Sequence, residues 1–428
     1  MVISPRTTIP PMNATPLRRW LGVLVLLTGF GGSVPIRSQT RSLPDAPGTW
    51  KPWKPLSTTT GAGGAKEQAA TPALVKAFEG ELLALNAILR RATGVASPVG
   101  FSVETWGYIA GYKASEHATG QPAAGKLPIA GGFTFGAFPI FEYDRNGKTI
   151  REDTGETALQ AFAINQIGSG LIDSGKVADW GSLDTDAFQK PMPQGEIAGL
   201  PRYGDGLIIA RDPAALWTPL PQRGALDLVV KARTLVVQEF EESVAKYADR
   251  LAEVRAPGYR AARMKEAQES AALAKMPNPQ AFIKTIEQSI DLEEASLVKE
   301  LGPATGTGKS LADAKRALSE VTDWIAQLSP AEAAAPSCFV EKGTTLRARF
   351  TTATSAGCRP LVRPNYGYFN AALPRSAPQV VIITGIKRCF DTADKYNIDA
   401  NSPSPAGCRA NRALIETMDK AAIRAWLR

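Results

Sequence analysis

Hydrophobic residues recur at helical spacing through the middle of the chain. Three such stripes cover residues 226–254, 283–301 and 318–328. Apolar positions three and four residues apart mark one face of an amphipathic helix, which buries that face against its neighbours. Because short connections join the three stripes, we predict three antiparallel helices in a central unit spanning residues 221–330.

The part of the chain before this unit mixes helical and strand patterns. Thr71 followed by Pro72 is typical of a helix N-terminus, with a side-chain cap and a proline in the first turn. Residues 157–167 fit either a helix or a strand. We therefore predict a mixed α/β domain over residues 71–220. Segments with the alternating apolar residues of strands are 101–105, 133–137 and the arms of a hairpin around Asn146-Gly147.

The last part, residues 331–428, combines an apolar segment of β-forming residues at 380–383 with a helical pattern at 411–427. It also contains all the cysteines. The whole chain is therefore predicted to be α+β, with an N-terminal mixed α/β domain, a central antiparallel helical unit and a small disulfide-closed, β-rich C-terminal unit.

The N-terminal segment has the pattern of a targeting signal followed by a tether. Arg18 and Arg19 precede an uncharged apolar run that is shorter than the roughly 20 residues of a membrane span, and small residues follow it. This pattern predicts a cleavable signal peptide over residues 1–34, with a retained signal anchor as the alternative. Residues 35–70, rich in Pro, Gly, Ser and Thr, are predicted to be a flexible linker. Its doubled Trp-Lys-Pro unit, residues 50–55, is expected to pack back onto the first domain.

The cysteines indicate the redox compartment. They are Cys338, Cys358, Cys389 and Cys408, and an even number in an exported chain indicates disulfides. Of three possible pairings we favour Cys338–Cys358 and Cys389–Cys408, because sequence neighbours close the shorter loops. Each loop of about 20 residues would contribute roughly 3 kcal/mol in the chain-entropy model. We therefore predict a secreted or periplasmic protein with no transmembrane span after signal removal.

Histidine is nearly absent, and this excludes many mechanisms. His117 is the single histidine, so a multi-histidine zinc site is impossible and any Ser–His or Cys–His dyad must include it. The string Gly306-Thr307-Gly308-Lys309-Ser310 matches the end of a phosphate-binding loop, but Pro303 stands where the first glycine is required. Ser243–Lys246 and Ser296–Lys299 have the spacing of penicillin-recognising enzymes without their Lys-Thr/Ser-Gly triplet. No catalytic residue is assigned, and no cofactor or metal is expected.

Two kinds of oxygen-based site are alternatives. Carboxylate-dependent hydrolysis of envelope glycans needs two acidic residues and no histidine. Candidates for that pair are Glu104, Glu142, Asp144, Asp184 and Asp186. Weak calcium binding in the Cys389–Cys408 loop would use Asp394, Asn397, Asp399 and Asn401. That loop lacks the central glycine and distal glutamate of an EF-hand, so a polar turn is the main interpretation.

Positive charge is concentrated at the C-terminal end. Residues 336–428 contain fourteen Lys or Arg and six Asp or Glu, a balance equal to the +8 of the whole chain. Such an excess attracts anionic polymers through a salt-sensitive field. We therefore expect a non-catalytic exported protein that binds an anionic lipid or glycan of the cell envelope, and no nucleic acid, because no nucleic-acid-binding motif is present. The candidate anion-binding residues are Arg347, Arg349, Arg359, Arg363, Lys387 and Arg388.

Overall fold

The predicted α+β class is confirmed by the element order of the chain. The predicted signal peptide, His117, the Asn146-Gly147 turn and the four residues of the proposed calcium loop lie outside the described residues. The computed structural model describes residues 41–56, 64–111, 120–145, 148–153, 158–168, 177–352, 357–390 and 405–428.

The strands in these residues are short at the periphery and longest in the segments where apolar residues alternate. They are β1 (Arg41–Ser42), β2 (Phe101–Ile109), β3 (Gly131–Pro139), β4 (Phe141–Arg145), β5 (Lys148–Glu152), β6 (Ala158–Ile164), β7 (Phe188–Gln189), β8 (Glu196–Ile197), β9 (Leu200–Tyr203), β10 (Gly206–Ala210), β11 (Trp217–Pro219), β12 (Cys338–Phe339), β13 (Phe350–Thr351), β14 (Arg359–Pro364) and β15 (Val380–Thr384).

The helices range from single turns to more than nine turns. They are α1 (Pro72–Leu89), α2 (Thr93–Ala96), α3 (Gln222–Arg255), α4 (Tyr259–Leu273), α5 (Pro279–Leu301), α6 (Gly306–Gln327), α7 (Pro330–Ala334), α8 (Leu346–Arg349), α9 (Lys387–Phe390), α10 (Pro405–Thr417) and α11 (Lys420–Trp426). Thr71 caps α1 through its side chain, and Pro72 is its first residue, as predicted.

A seven-stranded antiparallel sheet in the order β2-β3-β6-β15-β10-β9-β8 forms the centre of the fold. β15 pairs with β6 on one side and with β10 on the other. Val380, Val381, Ile382 and Ile383 are all buried, which is the pattern of an interior strand with both faces covered. Within the ambiguous segment 157–167, residues Ala158–Ile164 form strand β6 of this sheet. The segments predicted as an N-terminal domain and a C-terminal unit therefore share one sheet.

Helices from both ends of the chain cover one face of this central sheet. Phe78 and Leu82 of α1 pack in the same core as Phe133 and Phe162 of the sheet and Leu414 of α10. α11 follows α10 and contacts both α1 and β10. The C-terminal helical pattern thus completes a core that the N-terminal segments begin.

A second, smaller sheet is built around β14. β11 and β12 pair with one edge of β14, β7 pairs with its other edge, and β13 pairs with β12. Val362 packs with Trp217 and Ile382 between the two sheets. Leu361, on the opposite face, packs with Leu226 of α3. The small sheet therefore joins the central sheet to the helices.

The helical region contains one helix more than the sequence predicts. The N-terminal part of α3 packs against α6, and the later part of α3 packs against α5 and α4. α4 lacks a strong apolar stripe because its buried residues, Ala267 and Ala271, are small, while Leu273 is 85% exposed. A helix that buries alanines is not visible as a pattern of large apolar residues.

Both disulfides form with the favoured pairing, Cys338 with Cys358 and Cys389 with Cys408. Each closes a loop between sequence neighbours, with separations of 20 and 19 residues. Disulfides form and persist in oxidising compartments. In the described part of the chain, no helix is both long enough and apolar enough to cross a membrane.

Residues 46–56, which we call the strap, lie along the free edge of β2, although the sequence predicts a flexible linker there. Val103 donates a backbone hydrogen bond to Thr49 and accepts one from Lys51, each at 2.8 Å. Trp50 and Trp53 pack against the main core, as expected, with their rings edge-on to two core phenylalanines at 5.8 and 6.1 Å. The strap is ordered because the tryptophans, three residues apart, bury apolar surface on one side.

The lysines of the Trp-Lys-Pro repeat compensate a buried carboxylate on β2, that of Glu104. Lys51 lies 3.8 Å from Glu104 and 2.9 Å from Asp153, and Lys54 is also ion-paired with Glu104. Glu104 is 7% exposed, and a buried carboxylate needs such partners. The Trp-Lys-Pro repeat therefore neutralises a charge on one side while it fills the core on the other.

Candidate functional site

The six candidate basic residues do not form one continuous patch. Arg347, Arg349, Arg359 and Arg363 surround the small sheet, whereas Lys387 and Arg388 belong to α9, just after β15 of the central sheet. The side chain of Arg388 is outside the described part of the structure. The candidate anion-binding residues therefore lie at two locations, and four of the six are at the small sheet.

Arg349 and Arg347, both at the small sheet, contact residues of the fold. Arg349 forms an ion pair with Asp179 at 2.8 Å and lies over the ring of Phe339. Arg347 lies over the ring of Trp324 at 5.2 Å and donates to Gln327 at 2.8 Å. Arg359 is exposed at the start of β14.

Part of the C-terminal charge excess also stabilises the fold directly. Arg375 donates to the carbonyl oxygens of Gln68, Ala69, Ala124 and Leu127 at 2.6–3.1 Å. These carbonyls belong to segments far from Arg375 in sequence. The number of arginines in the C-terminal region thus overstates the charge that a ligand would meet.

Arg363 lines a cavity of about 340 Å³ at the end of β14, here called the Arg363 cavity. Thr218 lies directly opposite Arg363 in the β11–β14 ladder, so both side chains are on the same face of the sheet. Asn365 holds the wall in place, because its Nδ2 donates to Ala215 at 2.8 Å and its Oδ1 accepts from the backbone of Gly367 at 3.1 Å. The described residues that line it are Gly120, Thr218, Pro219, Pro221, Arg363, Pro364, Asn365, Tyr366 and Gly367. Among these residues Arg363 alone carries a charge.

A second cavity of about 190 Å³ adjoins the first, and Tyr366 lines both. Gly120 lines the Arg363 cavity and its neighbour Gln121 lines the second, here called the Gln166 cavity. Phe369, Gln68, Asn165 and Gln166 also line the second cavity, and none of the described residues in its lining is charged. Together the two cavities form what we call the two-cavity site.

The amides of the Gln166 cavity have distinct roles. Gln68 donates to the carbonyls of Ala110 and Ala130 and accepts from the backbone of Ala130, so its polar atoms serve the fold. Asn165 is used in the same way, by Ile129, Ala377 and Gln379.

Gln166 differs from these two amides. Its Nε2 donates to Gly131 O at 2.6 Å and to the hydroxyl of Tyr108 at 3.4 Å. Because both protons of the amide are directed into the fold, the group that Gln166 offers to a ligand is its carbonyl oxygen, an acceptor. Burial raises the pKa of Tyr108 above its ordinary value of 10.0, which keeps its hydroxyl neutral.

The positive charge of Arg363 acts on Asp186, an acidic residue just before β7. Phe188 pairs with Val362 in the antiparallel β7–β14 ladder, so the residues before β7 run beside the end of β14 that carries Arg363. Burial raises the pKa of Asp186 above 3.8, and the positive charge of Arg363 partly opposes that rise. Its Oδ2 atom is buried without a hydrogen-bond partner in the described residues.

The other predicted carboxylates are divided among unrelated places. Glu104 is paired with the strap, and Glu142 lies opposite Arg41 and Arg151 in the β1-β4-β5 sheet. Asp144 accepts a hydrogen bond from Thr149 at 2.8 Å. Asp184 lies two residues before Asp186 and is not among the described residues that line the Arg363 cavity, the Gln166 cavity or the cavity beside Asp186. Asp186 therefore remains as the acidic candidate that lines a cavity. That cavity, about 260 Å³ in volume, is lined by Asp186, Ala187, Leu220, Gly224, Asp227, Leu228, Val230 and Lys231, and we call it the Asp186 cavity.

The remaining catalytic motifs lie on ordinary helix surface. The Gly306–Ser310 string forms the first turn of α6, where Glu300 accepts hydrogen bonds from the backbone and the hydroxyl of Thr307. Ser243 donates to the carbonyl of Glu239 at 2.8 Å, within its own helix. In the described residues, no group of three or more His, Cys, Asp or Glu side chains is placed to hold a metal ion.

Sequence reasoning identified Arg363 but missed Thr218, Gln166 and Tyr366. These residues come from three segments with no shared motif, and only the pairing of β11 with β14 and the packing of the two sheets bring them together. No protein-family model matches the chain, and neither a curated protein nor a solved structure resembles it.

Proposed function

We propose that the protein is exported and binds an acidic glycan of the cell envelope in the two-cavity site, without catalysing a reaction. The observation that carries this proposal is the lining of the site. Arg363 is the one charged side chain among the described residues that line its two cavities, and the rest of the lining is hydroxyl, amide, aromatic and small apolar groups. The disulfides support an oxidising location.

The chemistry of the lining suits an acidic sugar. An arginine guanidinium can donate two parallel hydrogen bonds to a carboxylate, sulfate or phosphate. Tyr366, between the cavities, offers a ring face and a hydroxyl, and Gln166 offers an acceptor for a sugar hydroxyl. A sugar with its anionic group at Arg363 and its hydroxyls near Tyr366 and Gln166 would match the order of these side chains along the site.

A glycan fits better than an anionic lipid. Peripheral binding to lipid needs apolar side chains exposed beside the basic residues. One exposed large apolar residue, Met192, follows β7 of the small sheet, and a single such side chain is little for insertion into a membrane. Five others lie on α3, α4 and α5, away from the small sheet: Leu235, Val236, Leu273, Leu292 and Val298. An anionic membrane is therefore the competing outcome of the test rather than the proposal.

The test measures binding of the mature protein to polygalacturonate, with neutral dextran as the reference polymer, by calorimetry. Arg363→Gln should weaken binding about 10- to 100-fold, since a hydrogen bond to a charged group contributes about 1.5–3 kcal/mol. The matched control is Arg359→Gln, which removes the same charge from the same strand outside the cavity and should change affinity by less than about threefold. Binding should be lost in about 0.5 M salt.

Three outcomes would contradict the proposal. Equal loss in both variants would indicate general charge attraction, and equal binding of neutral dextran would remove the role of the anionic group. Arg363-dependent binding to vesicles containing phosphatidylglycerol, with none to polygalacturonate, would replace the glycan by a lipid.

The second candidate function is carboxylate-dependent hydrolysis of an envelope glycan. It is favoured by the Asp186 cavity, where a carboxyl whose pKa is raised by burial shares the lining with Asp227, as the acid and base of a glycosidase would. The test is the release of reducing ends from envelope polysaccharide, which Asp186→Asn should abolish. No release above that of the variant would leave binding as the function.

A further inference from the structure

The edge of β2 that faces away from β3 is the long edge of the central sheet. β2 has nine residues and pairs with β3 along all of them, whereas β8, at the opposite edge of the sheet, has two. A long edge strand offers a row of backbone donors and acceptors to which a strand of another chain can add, and natural proteins shorten or cover such edges. The edge of β2 is therefore the surface at which two copies of this chain would pair if nothing covered it.

The strap occupies this edge as an added strand would. It forms parallel bridges to β2, Trp50 with Val103 and Lys54 with Trp106. Both backbone groups of Val103 are bonded to the strap, and Lys54 donates to the carbonyl of Thr105 at 3.4 Å. These bonds use edge groups of β2 that would otherwise be open to another chain.

β2 and the strap also fit each other through their side chains. Gly107 of β2 leaves room for Trp53 and Leu56, since a Cβ at Gly107 would lie 3.0 Å from the tryptophan ring and 2.8 Å from Leu56. Near the start of the strap, a side chain at Gly48 would collide with the carbonyl oxygen of Phe101. The strap is therefore seated closely on β2 along its length.

The prolines of the repeat lie on the outer side of the strap. Lys51 and Lys54 direct their N–H groups toward β2, and successive N–H groups of an extended chain point to opposite sides. The N–H groups of the next residues would point away from β2, but those residues are Pro52 and Pro55, which have none. Both prolines are exposed. Proline at the solvent side of an edge strand removes the donors that a further strand needs.

We propose that the Trp-Lys-Pro repeat shields the central sheet from a second copy of this chain. In each unit of the repeat the tryptophan packs against the core, the lysine pairs with Glu104, and the proline faces outward without a donor. The tryptophans and lysines hold the strap on the edge of β2, and the prolines end the sheet there. The shielding is independent of ligand binding in the two-cavity site.

The test restores the missing donors. The variant Pro52→Val with Pro55→Val gives the strap outward N–H groups and β-forming side chains, while the tryptophans and lysines of the repeat are kept. Because each copy gains one such edge, two copies should pair and close as a dimer with about twice the mass of the wild type. Sedimentation equilibrium over a range of protein concentrations measures this mass. The matched control is Pro257→Val with Pro303→Val, the same replacement at exposed prolines of two helix–helix connections, which should keep the wild-type mass.

Amide hydrogen exchange locates the new contact. In the dimer of the Pro52→Val, Pro55→Val variant, the strap amides should be protected more strongly as the protein concentration rises, whereas those of the wild type should not change. A variant that keeps the wild-type mass at every concentration refutes the proposal, as does equal association of the control. Association without added protection of the strap refutes it too, because the contact then lies elsewhere. Should the valine variant fold poorly, Pro52→Ala with Pro55→Ala restores the same donors and is judged by the same two measurements.

Discussion

The replacement Arg349→Ala tests whether an arginine chosen from sequence as an anion-binding residue instead stabilises the fold. Arg349 contacts Asp179 at 2.8 Å, and the side chains are 28% and 10% exposed. The guanidinium also lies 5.7 Å from the centre of the Phe339 ring. Removing it leaves a buried carboxylate without its closest cation.

The size of the effect follows from this geometry. Removing one partner of a fully buried ion pair costs about 3–5 kcal/mol. Because Arg349 is more than a quarter exposed, and Arg233 still acts on Asp179, we expect a smaller loss of about 2–3 kcal/mol in the free energy of unfolding. The double variant Asp179→Asn with Arg349→Met should recover most of that loss, since it leaves no charge behind.

The same site predicts how the loss changes with pH. Burial raises the pKa of Asp179 above 3.8, and Arg349 and Arg233 oppose the rise. A carboxyl with a raised pKa in the folded state destabilises the fold as it ionises, so this cost grows as the pH rises through that pKa. Without Arg349 the pKa rises further. The deficit of Arg349→Ala should therefore be full at neutral pH and shrink as acid protonates Asp179.

The assay is urea unfolding of the wild type and the variants with both disulfides intact, at neutral and acidic pH, together with binding to polygalacturonate. A variant within about 0.5 kcal/mol of the wild type would show that the pair contributes little. A stable variant that has lost binding would refute the structural role of Arg349 and show that Arg349 binds the ligand.

Two further replacements test the strap and one disulfide. Trp53→Ala should lower the free energy of unfolding by about 2–4 kcal/mol, because the ring is half-buried against the core. The control variant Trp53→Phe should lose clearly less. Equal urea midpoints for the alanine variant and the wild type would indicate that the strap is a free linker. Replacing Cys338 and Cys358 together by serine should cost about 3 kcal/mol, because the disulfide closes a loop of about 20 residues. Peptide mapping of the oxidised protein should recover this pair and no other partner for Cys338.

Local patterns predicted the parts of the fold that local physics controls. The stripe over 226–254 became α3, and the alternating residues of 101–105 became part of β2, because each element buries one face at a fixed period. The disulfide pairing was also correct, since short loops favour sequence neighbours. Residues on the two sides of the predicted boundary at 331 meet in one sheet, because β15 lies in the middle of a sheet whose other strands come from residues 101–210.

The candidate site depended on long-range contacts. Arg363 was found through its charge, but charge alone did not separate it from Arg349, which is paired with Asp179, or from Arg375, which binds four carbonyl oxygens. An arginine has the same letter in a sequence whether it lines a cavity or is surrounded by carbonyl oxygens. Burial and partners distinguish the two cases.

The order of residues by itself determined the helices with a stripe of large apolar residues, the alternating strands, the charge asymmetry and the cysteine pairing, because each depends on spacing within a short segment. The tertiary structure decided that β15 pairs with β10, about 170 residues earlier, and with β6, about 220 residues earlier. It also decided that the strap covers β2 and that Tyr366 lines both the cavity of Arg363 and that of Gln166. Those contacts arise when apolar faces of distant segments are buried together. Burial depends on the whole packed chain, whereas periodicity depends only on neighbours.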